Sequence, residues 1–244
     1  TNTTSAANVT ITNGFTNTDT LQFTTEGAGY SVQLNVPNGP LVNASTGTIA
    51  SLAGAGGARV LAAQLDNQGT VSLPYDLTLA QASAAHLNSG TITTTGTADF
   101  TLQQTGTTPS FTNTGTITLA AGRTMSVSGG TLDLSAGLVA GSTAFLTTTL
   151  APTVRFTTAT VQPRIGFSAG TVLPDPVVIP ANDSLRIYTG TFAPPSLTNN
   201  GRLFLEGNTV LTTVLTTGPG SLLRVRGTNT TSAANVTITN GFTN

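Results

Sequence analysis

Nine carboxylates, eight guanidinium groups and one imidazole are nearly all the titratable side-chain chemistry that this 244-residue chain offers. The acids are Asp19, Glu26, Asp66, Asp76, Asp99, Asp133, Asp175, Asp183 and Glu206, and they are scattered singly along the sequence. Glycoside chemistry needs two carboxyl groups facing each other across a bond, so only the fold could assemble such a pair. Acids about one repeat interval apart, Asp76 and Asp99 for example, could meet across neighbouring turns. His86 is the one further general acid or base, and with so few partners it reads as an ordinary surface or loop histidine. There is no lysine, which excludes Schiff bases, phosphate-loop lysines and Lys–Asn cross-links. There is no cysteine, hence no disulfide and no thiolate metal site. Serine is plentiful, but no Gly-x-Ser-x-Gly elbow occurs. Arg224-Val-Arg226 sets two guanidinium groups on one strand face. Such a pair can bind acidic glycans but reads more simply as a solvated face. The expectation is a chain that is not an enzyme and carries no cofactor or metal.

The remaining composition narrows the class. Charged residues make up 7% of the chain, against about a quarter in an ordinary soluble domain. With a net charge of −1 and no basic run, nothing marks a nucleic-acid partner. No stretch of ~18 apolar residues predicts a transmembrane segment. Threonine occurs 52 times, so the core must be built from small and β-branched side chains. Positive mean hydropathy (+0.16) and low charge predict a folded chain and argue against disorder.

Two repeats organise the sequence. Residues 1–17 read TNTTSAANVTITNGFTN, and residues 228–244 are identical, at an offset of 227. Residues 1–227 are therefore read as one unit of a tandem array and 228–244 as the start of the next. A strand used twice at subunit junctions is the competing explanation. Under either reading, Thr1, Asn8, Ile11, Asn13, Phe15 and Asn17, with Thr228, Asn235, Ile238, Asn240, Phe242 and Asn244, are candidate junction residues. They are expected to occupy equivalent positions in successive repeats.

A shorter motif runs inside the unit: apolar-x-Asn-x-Gly-Thr-apolar-x-apolar. Phe111-Thr-Asn113-Thr-Gly115-Thr-Ile117-Thr-Leu119 is the clearest copy. Matching copies centre on Asn67 and Gly69, on Asn199 and Gly201, and on Asn17 with Asp19 in the glycine position; a shortened copy holds Asn88 and Gly90. The turn glycines Gly47, Gly69, Gly90 and Gly115 follow one another at nearly even steps, the interval of a solenoid turn. Asn-x-Gly is turn chemistry, and threonine followed by alternating apolar residues is a strand with one buried face. Coils stacked about 4.8 Å apart would set Thr over Thr and Asn over Asn, and would place like charges in repulsive contact. The pattern predicts an all-β solenoid with coils of about 20–28 residues. Variable coil length argues against a flat threonine array for binding ice.

These coils resemble bacterial β-strand-repeat surface proteins, the filamentous-haemagglutinin-like adhesins and autotransporter passengers. The resemblance covers most of residues 1–150 and 197–244. It implies a right-handed parallel β-helix, secretion and an extracellular or cell-surface location. The expected function is a structural repeat of an extracellular fibre or long surface filament, with copies of itself as partner. An adhesin binding surface glycan or protein is the alternative, and a carbohydrate-active enzyme the third reading. Residues 151–196 depart from the pattern and hold seven of the twelve prolines. They are expected to form an irregular loop or a lateral contact surface carrying Tyr188 and Phe192. Residues 76–87 read either as a short helix capped by Asp76 or, from the alternation at Leu77 and Leu79, as strand.

Overall fold

The structure, a computed structural model, describes residues 6–26, 29–227 and 235–243. Among these residues there are 28 strands and no helix, hence none long and apolar enough to cross a membrane. The strand pairings are parallel and wind the chain into a β-solenoid of three faces. On the first face, ten successive pairings carry the chain from Ala7–Thr10 to Leu222–Arg226. The second face begins at Asn13–Asn17. It shares one 18-stranded sheet with the first, because the long strands Val32–Asn43, Arg59–Asn67 and Ser184–Phe192 run round the corner between them. The third face is split into a six-stranded block, from Thr20–Phe23 to Leu138–Ala140, and a four-stranded block, from Val177–Ile179 to Phe242–Thr243.

Alternation explains which side chains fill the tube. Successive strand residues point to opposite faces, so each apolar-x-apolar segment sends two side chains inward. On the third face Leu21, Ile49, Val71, Ile92, Ile117 and Val139 stack in one column, and from Ile49 onward they are at most 1% exposed. Each such side chain contributes about 1.5–3 kcal/mol by leaving water. The neighbouring column is threonine over threonine: Thr20, Thr48, Thr70, Thr91 and Thr116. Residues 76–87 settle as strand, with Leu77–Leu79 on the first face and Ala85–Asn88 on the second.

Coil length follows from the register. A long coil sets Val32 beside Arg59, whereas short ones set Val60 beside Thr78 and Ile187 beside Leu205. The tightest coils are thus shorter than the glycine spacing predicts, because their corners carry almost no loop.

The proline-rich segment stays in the coil. Pro152, Pro163, Pro174, Pro176, Pro180, Pro194 and Pro195 all fall between strands, where no ladder N–H is required of them. Irregularity survives as two isolated bridges, Val139 to Val161 and Thr153 to Val172, and as a register shift at Ile165/Gly166. The expected contact pair divides accordingly. Phe192 cannot be a lateral contact: it points inward, is fully buried and stacks on Phe167 with ring centroids 5.5 Å apart. Tyr188 is partly exposed and meets Phe145 edge-on at 5.1 Å, and burial raises its phenol pKa. Phe192→Ala should therefore destabilise the chain by about 3–5 kcal/mol, read as a lower urea midpoint. A surface role for Phe192 predicts an unchanged midpoint.

Candidate functional site

The motif asparagines gather at the corner between the second and third faces. Asn17 Nδ2 donates to Asn43 Oδ1 at 2.7 Å, Asn43 to Asn67 at 2.7 Å, Asn67 to Asn88 at 2.6 Å and Asn88 to Asn113 at 2.6 Å. Asn43, Asn67, Asn88 and Asn113 are completely buried. The rungs also hold the corner's backbone. Asn43 Nδ2 reaches the Gly47 and Thr70 carbonyls, and Asn67 Nδ2 reaches that of Thr91. The asparagine carbonyls accept in turn from the coil above: Ser89 and Gly90 N–H donate to Asn67 O, and Thr114 and Gly115 N–H to Asn88 O. The ladder ends at Asn113, whose amide turns to the carbonyls of Gly115 and Leu138.

The glycines of the motif serve a different purpose from the one turn chemistry suggests. Gly69, Gly90 and Gly115 are absent from the left-handed region. A Cβ on Gly90 would instead lie 2.1 Å from Gly69 O, and one on Gly115 2.1 Å from Gly90 O. Close approach of successive coils is what demands glycine here.

Asn43 is a rung that falls outside the motif, since its glycine follows four positions on, at Gly47, and not two. Its sequence offsets of 26 from Asn17 and 24 from Asn67 are the signal that could find it. Asn199 and Gly201 do not join the ladder. Leu197–Asn199 is a third-face strand and Arg202–Glu206 a first-face strand, so this copy turns the next corner round. Asn199 bonds within that corner, donating to Leu222 O at 3.0 Å and accepting from Gly201 N–H at 3.2 Å. The close approach recurs there, with Pro180 O 2.1 Å from a Cβ on Gly201.

The chemically capable residues are spread among structural duties. Asp76 and Asp99 do stack on adjacent coils, but each carboxylate accepts a backbone N–H from the coil above, Asp99 N–H at 2.8 Å and Thr124 N–H at 2.8 Å. His86 is not a surface histidine. It fills an inward slot, 3% exposed, with its ring 6.5 Å from Phe111 and its Nδ1 accepting the Leu65 N–H at 3.1 Å. Burial lowers its pKa to about 4. Arg226 of the Arg224/Arg226 pair leans towards the fully buried Glu206 (3.8 Å), which Arg164 also approaches (3.4 Å). Among the described residues no three His, Asp or Glu side chains are grouped to hold a metal ion.

The repeated ends sit on different faces. In the first copy, Ala7–Thr10 with Asn8 forms the first-face edge, Ile11 N–H bonds Asn35 O, and Asn13–Asn17 with Phe15 lies on the second face. In the second copy, Val236–Ile238 lies on the second face over Thr209–Leu211, and Phe242–Thr243 on the third face over Leu215 and Thr216. Asn235 O accepts the Thr209 N–H, and Asn240 Nδ2 donates to Thr212 O. Thr1, Thr228 and Asn244 lie outside the described residues. The two copies are thus not equivalent within one chain, because the path from one to the other spans ten turns and one further face.

No family model matches this chain, and neither does any curated protein or solved structure.

Asn88→Ala should cost about 2–4 kcal/mol, since it strands one buried amide donor and one acceptor; urea unfolding reads the loss. His86 yields a pH dependence. Its folded pKa is below the unfolded 6.5, so the unfolded chain takes up the proton first. The stability present above that value falls by about 3 kcal/mol as pH drops towards 4. His86→Gln, which cannot titrate, should flatten the urea midpoint between pH 6.5 and 5. Parallel slopes for both proteins would refute this assignment.

Proposed function

We propose that this chain is a structural repeat of an extracellular fibre or long cell-surface filament. It works mechanically, without catalysis, through end-to-end stacking of solenoid coils. The observation that carries this reading is the last coil. The seventeen-residue sequence of residues 1–17 recurs at 228–244, and its described strands pair in parallel with the preceding coil, Val236 to Ile238 beside Thr209 to Leu211 and Phe242–Thr243 beside Leu215 and Thr216. Such seating is what stacking of one repeat on the next requires, and it supports this reading.

Exposed apolar side chains on the outermost described strands support the same reading: Val9 is 53% exposed on Ala7–Thr10, Val225 56% on Leu222–Arg226 and Phe242 53% on Phe242–Thr243. Solenoid repeats cover such side chains with the coil of a neighbour. The low charge of the chain also suits coils piled in register.

Electron microscopy of the purified chain over a range of concentrations tests the proposal. Filaments of one width that lengthen with concentration are expected, and Val9→Asp with Phe242→Asp should shorten them. Rods of one coil stack, about 50 Å long, at every concentration would overturn it; saturable glycan binding by such rods would favour an adhesin.

A further inference from the structure

The phase of the two copies bears on how one repeat sits on the next. We infer that successive repeats stack turned by one face, a third of a turn about the solenoid axis, so that the first face of each repeat continues the second face of the repeat before it. This rests on the end-to-end stacking proposed above and specifies its geometry.

Two observations carry it. The first is the seating of the second copy. Ile11 belongs to the first-face edge of its coil, whereas its counterpart Ile238 pairs beside Leu211 on the second face. Phe15 pairs with Leu41 on the second face, whereas its counterpart Phe242 pairs with Leu215 on the third. A stack without rotation would need the copy's opening strand on the first face. That position is already taken by Leu222–Arg226, the segment just before it.

The second observation is the migration of the motif inside one repeat. From Asn17 to Asn113 the asparagine turn lies at the corner between second and third faces. No such motif occurs in residues 151–196, and the next one, Asn199-Asn-Gly201, lies one corner further on. The strands Leu197–Asn199, Leu215–Thr217 and Phe242–Thr243 form one column at that corner. Phe242–Thr243, the described part of the incoming copy's motif, therefore continue the column that Asn199 opened. The proline-rich coils absorb the change of phase, and the rotation keeps each motif above the previous one.

The consequence concerns presentation. A lateral feature such as the exposed Arg155–Asp175 ion pair faces a new direction in each repeat and returns after three. A surface carried by this repeat is then displayed all round the fibre and not along one side.

The test is a fused chain in which residues 1–227 are followed directly by the whole 244-residue sequence. No native thiol interferes, because cysteine is absent. In the rotated stack the Thr20–Phe23 strand of the second repeat lies over Leu222–Arg226 of the first; without rotation it lies over Leu215–Thr217. Gln22, Arg224 and Thr216 are all exposed, and parallel neighbours about 4.8 Å apart are within disulfide reach. Gln22→Cys in the second repeat with Arg224→Cys in the first should lose both free thiols on mild oxidation. Gln22→Cys with Thr216→Cys should keep them. Closure of the Thr216 pair instead would overturn the rotation while leaving stacking intact. Closure of neither pair, in a fusion whose circular dichroism shows folded strands, would overturn stacking itself.

Discussion

Everything in this molecule depends on one constraint: each side chain has its counterpart from the next coil about 4.8 Å away. Coil on coil, the backbone ladder is satisfied whatever the sequence. The side chains decide whether that spacing is tolerable. Threonine over threonine and isoleucine over valine meet the condition by packing. Asparagine meets it by hydrogen bonding, because an amide is donor and acceptor at once and can pass the bond from coil to coil. Charge fails it unless opposite charges alternate, and a chain with 7% charged residues is what such stacking leaves.

The buried corner from Asn17 to Asn113 shows how much the constraint fixes. Five amides run in sequence at 2.6–2.7 Å, and a buried chain of this kind tolerates no missing member, since each vacancy leaves two groups unpaired. The glycines that follow are required by the same approach of backbones, not by a special dihedral. Asparagine and glycine thus form one device: the first ties the coils together, the second lets them come close enough to be tied.

Where stacked identity is interrupted, other residues take over the same duties. His86 stands in an inward slot and accepts the Leu65 N–H, and Asp76 and Asp99 bracket successive coils by accepting backbone donors. Arg59, 1% exposed, donates to the Leu52, Gly56 and Gly57 carbonyls and lies over the Tyr75 ring at 4.2 Å. His86, Asp76, Asp99 and Arg59 thus all hold backbone groups of neighbouring segments.

Period-two alternation, Asn-x-Gly-Thr spacing and the near absence of charge suffice to read stacked coils, their approximate length and the rungs at Asn67, Asn88 and Asn113, because these are local patterns repeated in register. Asn43 escapes that pattern because its glycine stands further along the chain, at Gly47. Phe192 and His86 are misplaced by sequence alone because inward or outward is settled by the phase of a strand around the tube, which single residues do not carry. Asn199 shares its motif with Asn113 yet turns a different corner, and the identical ends lie on different faces, for one physical reason. A motif specifies a corner, but which corner depends on the number of faces already traversed, and that count is kept only by the closed, stacked coil.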